Sequence, residues 1–220
     1  MVDIIGSYKK MILSLMPDNL KKQLAKEKGS LGQAIIYILL TALVADIVVI
    51  ISMLLSLGSN LAGLGMGGGE NELAMAGFLG VTGIVVMAVY VIAIPIIMIF
   101  WAFIQTGVMW VLAKILGGKG SFTSQLYHFS IVGGGLTLIT SLLSLIPCLG
   151  GLIAMVLGFY YLYPVYLVYK GVHQLSSGRA IALVLLPIVL LILLFVIIMI
   201  LFAAAFASLL GALGAGGGFA

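Results

Sequence analysis

Long apolar runs alternate with short polar links along most of this 220-residue chain. A transmembrane helix needs about 20 consecutive, mainly apolar residues, and each run is long enough to cross a bilayer. The pattern therefore predicts an all-α integral membrane bundle of five transmembrane helices. The predicted spans are residues 31–57, 73–115, 126–146, 150–169 and 180–202.

The second of these runs, residues 73–115, is unusually long and contains Pro95. Two full spans here would need a turn without a polar residue near Pro95. They would also place later basic links outside the cell, against the positive-inside rule. We therefore expect one crossing that is kinked at Pro95. Residues 73–94 are then an outward extension, a steeply tilted segment or a re-entrant piece.

Residues 1–29 are polar and contain six of the ten basic residues. Apolar residues such as Ile5, Tyr8 and Ile12 follow helical spacing, and Pro17 is typical of the start of a second helix. The pattern predicts two short amphipathic helices in the membrane interface, or alternatively a solvated tail whose charge orients the first span. In the first interpretation, lysines contact anionic lipid headgroups. These lysines are Lys9, Lys10, Lys21, Lys22, Lys26 and Lys28.

The remaining charges orient the bundle. With five crossings, all lysines and Arg179 fall on one side of the membrane, whereas Glu70 and Glu72 fall on the other. Cytoplasmic loops carry an excess of Lys and Arg. We therefore expect a multi-pass protein of the cell membrane, with its amino terminus in the cytoplasm and its carboxyl terminus outside.

Three segments outside the spans are predicted to form a loop, a tail and a turn. Residues 58–72 are Gly-rich and predict a flexible loop, and residues 203–220 predict a small, uncharged tail. Pro147 and Cys148 lie in a predicted tight turn, and a single cysteine excludes an internal disulfide.

Composition excludes most classes of function. Hydrophobic residues make up 64% of the chain and charged residues only 7%, whereas a globular chain has about 25% charged residues. No separate soluble domain is expected. A nucleophile, base and oxyanion set cannot be assembled from so few polar residues, so we do not expect an enzyme. We also expect no cofactor, no metal and no nucleic-acid partner.

Polar residues inside the spans are the candidate functional site. Asp46 lies near the middle of the first span, where a charged carboxylate is costly, so it is either a proton or cation group or a hydrogen-bonding group between helices. The same alternatives apply to the other polar residues in the spans. The full candidate set is Asp46, Gln105, Thr106, Thr137 and Ser141.

Small residues predict that the third and fourth spans form a tight hairpin. Small residues one turn apart allow helix backbones to approach closely. His128 and His173 are interpreted as residues of the membrane interface. The predicted packing residues are Gly133 and Gly134 in the third span and Gly150, Ala154 and Gly158 in the fourth.

Two short basic links, residues 117–122 and 170–179, carry a resemblance to a known family. Together with the stretch LLSLIPCLGG at residues 142–151 and with Pro187, they resemble the YIP domain, the family of five-span Ypt/Rab-interacting membrane proteins, and its prokaryotic branch in particular. The resemblance covers residues 101–197. Its link residues are Gly117, Gly118, Lys119, Gly120, Ser121, Phe122, His173, Leu175, Ser176, Gly178 and Arg179.

The resemblance implies a five-helix membrane protein without enzymatic activity. Eukaryotic members act in vesicle traffic and membrane shaping and bind small GTPases. This chain lacks their Asp-Leu-Tyr-Gly-Pro motif and has a short amino-terminal region, which puts small-GTPase binding in doubt.

Two hypotheses of function follow. The first is a membrane-organising or trafficking-type scaffold that acts through helix packing, contacts with itself or another membrane protein, and a basic cytoplasmic face. The second is a small transporter or ion-permeation protein that uses Asp46 and the polar face of the third span. A cavity lined by Asp46 and open to one side would favour transport, and a dry, packed centre would favour the scaffold.

Overall fold

The computed structural model describes residues 3–64, 70–146 and 149–215. Within these ranges the chain forms seven α-helices and no strand, so the predicted all-α class is confirmed. The helices are α1 Ile4–Ser14, α2 Pro17–Lys26, α3 Leu31–Leu64, α4 Glu70–Ile115, α5 Phe122–Leu143, α6 Leu149–His173 and α7 Ser177–Ala215.

Helices α3 to α7 each contain a stretch that is long and apolar enough to cross a membrane, which agrees with the predicted five spans. The protein is therefore a multi-pass membrane protein. These stretches are Leu31–Leu55, Val85–Ile115, Phe122–Leu143, Leu149–His173 and Ser177–Ser208.

Several helices extend further than the sequence predicts. α3 continues to Leu64 and α4 begins at Glu70, so much of the predicted loop is helical, and residues 65–69 lie outside the described residues. Residues 73–94 belong to the continuous helix α4 and do not re-enter. α7 continues through the predicted tail to Ala215 because this segment is rich in alanine and leucine, which favour helix. Residues 216–220 and the predicted turn residues Pro147 and Cys148 lie outside the described ranges.

The ends of four helices meet where the two basic links run. The backbone N–H of Lys119, after α4, donates to the carbonyl of His173 at the end of α6, at 3.0 Å. The guanidinium of Arg179, in α7, donates to the carbonyl of Leu116 at 3.0 Å. We call this end of the bundle the basic end.

The packed core lies in the half of the bundle next to the basic end. α4 buries Met109 and Ala113 near its last turn, and α7 buries Ala180 and Leu183 near its first turn. In contrast, every residue of α7 from 189 to 208 is exposed. Because lipid chains are as apolar as these side chains, the exposed faces are suited to contact lipid.

The amino-terminal segment forms the two predicted short helices, and part of their apolar surface packs against protein. The carboxylate of Asp3 caps α1 by accepting the N–H of Gly6 at 2.9 Å, and Pro17 is the first residue of α2. Met11 and Leu20 are fully buried against the spans. In contrast, Ile5 and Ile12 of the predicted stripe are 82% and 43% exposed, so this part of the stripe is free to enter the acyl boundary.

Helix α1 is docked deep in the packed half. The hydroxyl of Tyr8 donates to the carbonyl of Leu40 at 3.0 Å. Leu40 lies nine residues after the start of α3, which corresponds to about 14 Å of helix. At the other end of α1, the hydroxyl of Tyr160 in α6 donates to the carbonyl of Leu15 at 2.7 Å.

Candidate functional site

The first link ends α4 through the backbone geometry of glycine. Gly117 has a φ of 87°, in the left-handed region that favours glycine. Its N–H donates to the carbonyl of Lys114 at 2.9 Å, and the N–H of Gly118 donates to the carbonyl of Ala113 at 2.8 Å. These two bonds form a Schellman motif, which satisfies carbonyl groups at the end of a helix.

The next two glycines allow the first link to pass closely against the end of α6. A β-carbon at Gly118 would lie 2.8 Å from the ring of His173, and a β-carbon at Gly120 would lie 2.6 Å from the carbonyl oxygen of Val172. Neither position has room for a side chain without a shift of its neighbour. The two basic links therefore form one packed structure.

Ser121 and Phe122 begin α5. The side-chain oxygen of Ser121 accepts the backbone N–H of Ser124 at 3.2 Å and so caps the helix. The ring of Phe122 packs between Phe103 and Trp110 of α4, at centroid distances of 5.8 and 6.5 Å. Both residues therefore fix α5 against α4.

In the second link, Leu175 is buried among apolar residues of α4, α6 and α7. The carbonyl of Ser176 accepts the first backbone hydrogen bond of α7. Arg179 holds the two links together through the carbonyl of Leu116. Gly178 faces open space, and nothing in its surroundings requires glycine.

His173 is one end of a buried hydrogen-bond chain whose middle member is Gln125. Nε2 of His173 lies 2.7 Å from Oε1 of Gln125, and the amide nitrogen of Gln125 donates to the carbonyl of Thr106 at 3.3 Å. Oε1 is therefore the acceptor, and Nε2 of His173 donates. His173 and Gln125 are both fully buried. This chain connects α4, α5 and α6.

The interpretation of the two histidines as interface residues is wrong. His173 is buried because Gln125, which sequence reasoning missed, supplies its partner. His128 is also buried, and its Nδ1 lies 2.7 Å from the carbonyl of Ser124, one turn earlier in α5. A carbonyl only accepts, so Nδ1 of His128 carries the proton.

Three of the predicted polar residues share one cavity. The cavity has a volume of about 350 Å³ and lies among α3, α4, α5 and α6. Gln105 and Thr106 line it from α4, and Thr137 lines it from α5. Ser141 does not line this cavity, although it lies one helical turn beyond Thr137.

Asp46 lies apart from that group. It is buried, and one of its carboxylate oxygens has no hydrogen-bond partner among the described residues. It lines a second cavity together with Val91 and Pro95 of α4. Pro95 has no N–H, so the carbonyl of Val91 lacks its helical donor. The second cavity is thus lined by a buried acid and by the residue whose helical hydrogen bond Pro95 removes.

The small face of α5 packs against α1 and α3. A β-carbon at Gly134 would lie 2.6 Å from the hydroxyl of Thr41 and 2.7 Å from the sulfur of Met11. A β-carbon at Gly133 would lie 3.3 Å from the hydroxyl of Tyr161 in α6. Only the second of these contacts involves the fourth span.

The predicted small-residue ridge of α6 forms the contact with α5 at Gly150. Gly150 is buried, and a β-carbon there would clash with the carbonyl oxygen of Leu143 in α5, whereas Gly158 faces open space and Ala154 is half-buried. Most of the contact between α5 and α6 is made by larger side chains. These include Phe129 and Val132 of α5 and Leu167, Val168 and Tyr169 of α6.

A polar cluster that sequence reasoning missed attaches the amino-terminal helices to α5. The ammonium of Lys10 donates to the carboxylate of Glu27 and, at 2.7 Å, to the hydroxyl of Tyr127. The hydroxyl of Tyr127 in turn donates to Glu27. The only signal in the sequence was an acidic residue among many lysines.

The charge of Glu27 is favoured by these partners. Partial burial by itself would raise the pKa of Glu27, but the hydrogen bonds from Lys10 and Tyr127 together outweigh burial. The pKa of Glu27 is therefore lowered. The cluster is strongest when Glu27 is ionised.

Comparison with known families gives a match over most of the chain. The Yip1 domain matches residues 13–199. The chain belongs to the Yip1 family. No curated protein and no solved structure gives a significant match. The matched Yip1 domain begins inside α1 and ends inside α7. It therefore includes both basic links, the whole of α2, and the α3 and α4 walls of both cavities.

Proposed function

We propose that this Yip1-family protein is a non-catalytic membrane organiser of the scaffold or trafficking type. The observation that carries this proposal is the unequal packing of its two halves. All seven helices contribute to the half next to the basic end, whereas α5 and α6, with 22 and 25 residues, are much shorter than α3, α4 and α7. The docked helices α1 and α2 add further cross-section to the wider half.

This shape supports a role in bilayer organisation. A protein that occupies more area on one side of a bilayer than on the other favours bending of the membrane. The wider half also has an exposed basic surface, and each basic residue near an anionic surface contributes about 1 kcal/mol of attraction. The exposed lysines of the amino-terminal segment are Lys9, Lys21, Lys22, Lys26 and Lys28.

The orientation follows from the same charges. By the positive-inside rule, the basic end lies in the cytoplasm, and the carboxyl terminus lies outside. The lysines then face the anionic headgroups of the cytoplasmic leaflet of the cell membrane. A second copy or another membrane protein is accommodated along the exposed lipid-facing halves of α4 and α7.

Asp46 lines a cavity, which by itself favours the alternative role as a transporter. That role also requires Asp46 and the polar face of α5 to share one path. Asp46 lines a different cavity from Thr137 and Gln105, and Ser141 lines neither of the two. The polar groups are therefore distributed between separate sites.

Reconstitution of the full chain into vesicles tests the proposal. We expect the vesicle diameter to decrease as the protein-to-lipid ratio rises, more strongly with phosphatidylglycerol present than in phosphatidylcholine alone. Lys21→Gln, Lys22→Gln and Lys26→Gln together should remove the dependence on anionic lipid. Vesicle diameter that is independent of protein density would contradict the organiser, and a proton or cation flux through the wild-type protein would favour the transporter.

A further inference from the structure

We infer that the cavity among α3, α4, α5 and α6 binds an uncharged amphiphile that carries a hydroxyl or carbonyl group on an apolar chain and enters from the bilayer. Its volume of about 350 Å³ falls within the range of about 300 to 1,000 Å³ that is typical of small-molecule sites. This site is independent of the proposed organising function, which depends on the shape of the bundle and on its surface charge.

Three neutral polar groups from three different helices converge on the cavity. They are the amide of Gln105 in α4, the hydroxyl of Thr137 in α5 and the hydroxyl of Tyr161 in α6. None of these side chains makes a hydrogen bond to another described residue. In hydrocarbon, an unpaired polar group is costly, so these groups favour an occupant that offers donors or acceptors.

Two hydroxyl groups on the same walls are already satisfied. Thr41 donates to the carbonyl of Tyr37 at 2.8 Å, and Ser130 donates to the carbonyl of Leu126 at 2.7 Å. Such bonds to the preceding helical turn are the usual arrangement for a hydroxyl inside a helix. The three unpaired groups differ from these two hydroxyls and line the same cavity.

The lining of the cavity determines the chemical class of the occupant. It contains no Asp, Glu, Lys, Arg or His, so it offers no counter-charge to a phosphate or an ammonium group. Most of the lining is apolar or aromatic, including Phe129 and Met98. An apolar chain with a single uncharged polar group complements these walls.

The entrance faces the lipid. Trp101 lines the cavity and is 63% exposed, on the part of α4 that lies in the candidate span. Towards the basic end, Met109 and Tyr169 are buried and pack together in one apolar cluster, which closes the cavity on that side. A ligand therefore reaches the polar groups by lateral entry between α4 and α6.

Quenching of Trp101 fluorescence tests this site. The chain has two tryptophans, so Trp110→Phe leaves Trp101 as the only one in the full-length protein. The probe is bromoundecanol in phosphatidylcholine vesicles, and bromododecane is the matched alkane without a hydroxyl group. We expect saturable quenching by the alcohol that unbrominated undecanol reverses. Bromododecane should give only the non-saturable quenching expected of an exposed tryptophan in lipid.

Two variants and one control connect the binding to the polar groups. Thr137→Val keeps the side-chain shape, and Gln105→Leu removes the amide. Each should weaken bromoundecanol binding by about two- to ten-fold, the effect of one lost hydrogen bond. Ser141→Val lies one turn further along α5, outside the cavity lining, and should leave binding unchanged.

Three outcomes would overturn the inference. The first is equal quenching by the alcohol and the alkane, and the second is quenching that undecanol does not reverse. The third is saturable binding that Thr137→Val and Gln105→Leu leave unaffected although both variants retain the wild-type helix content. In each case the unpaired groups serve water or helix packing, and the cavity is not an amphiphile site.

Discussion

Gly134 of α5 lies directly against Met11 of α1. A β-carbon at Gly134 would be 2.7 Å from the methionine sulfur, and Met11 is fully buried. The hydroxyl of Thr41 in α3 approaches the same sulfur at 3.6 Å. Absence of a side chain at position 134 thus creates the space in which α1 docks between α3 and α5.

This relationship predicts that leucine at two glycines of the hairpin has different effects on stability. Gly134→Leu should lower stability by about 1 to 3 kcal/mol because the larger side chain overpacks the site of Met11. Gly158→Leu should change stability by less than about 0.5 kcal/mol because Gly158 faces open space. Thermal unfolding of the purified protein in detergent provides the comparison. Equal stability of the two variants would show that α1 is not docked at Gly134.

Acidification should release the amino-terminal helices. The pKa of Glu27 is lowered in the folded protein, so its contribution to docking is complete above about pH 4.5, the ordinary value for glutamate, and is lost as the pH falls through the lower folded value. Protection of the backbone amides of α1 against hydrogen exchange, relative to the intrinsic rate at each pH, should therefore fall below about pH 4.5. At neutral pH, Glu27→Gln should produce the same loss of protection.

The control for this experiment is Asp18→Asn. Asp18 pairs with Lys21 at 3.8 Å, but both side chains are largely exposed, and such pairs contribute little. Exchange of α1 should therefore remain slow at neutral pH in this variant. If Asp18→Asn and Glu27→Gln have the same effect, general surface charge rather than the Lys10, Glu27 and Tyr127 cluster holds the helices.

Alanine substitutions at two glycines of the links should also differ in their effect on stability. Gly120→Ala places a methyl group against the carbonyl oxygen of Val172, which forces the links apart, and we expect a loss of about 1 to 3 kcal/mol. Gly178→Ala has open space and lies in a helix, so stability should be unchanged or slightly increased. Thermal unfolding distinguishes them, and a stable Gly120→Ala variant would argue against the close contact of the two links.

The topology can be tested at the two ends of the bundle. In a Cys148→Ser background, Lys119→Cys provides an exposed thiol at the basic end. An impermeant thiol reagent should label it only after the cytoplasmic side is opened, and a reporter fused after Ala220 should be active only outside. Labelling of Lys119→Cys on intact cells would contradict a cytoplasmic basic end.

Substitutions of Asp46 separate its two interpretations. Asp46→Asn keeps a side chain that can form hydrogen bonds between helices and should leave stability nearly unchanged. Asp46→Leu removes that ability and should cost about 0.5 to 2 kcal/mol of helix association. Thermal unfolding measures both changes. A pH-driven proton flux that the wild type shows and Asp46→Asn lacks would assign Asp46 to transport instead.

The sequence by itself determined the class of the protein and its local geometry. Hydropathy specified the five spans because the bilayer requires about 20 apolar residues of helix per crossing. The order of the links indicated the family, and Pro17 marked the start of α2. The left-handed backbone of Gly117 is also a local feature, because it depends only on how a helix ends.

Tertiary structure decided which faces meet. Spans that are apolar on nearly all sides have no polar stripe that fixes their rotation, so the sequence paired Gly158 with α5 although it faces open space. It also grouped Asp46 with Gln105 and Thr137, whereas rotation of α3 places Asp46 in a separate cavity. The bonds of Gln125 to His173 and of Glu27 to Tyr127 join positions far apart in the chain. Such contacts depend on packing of whole helices, and no local pattern encodes them.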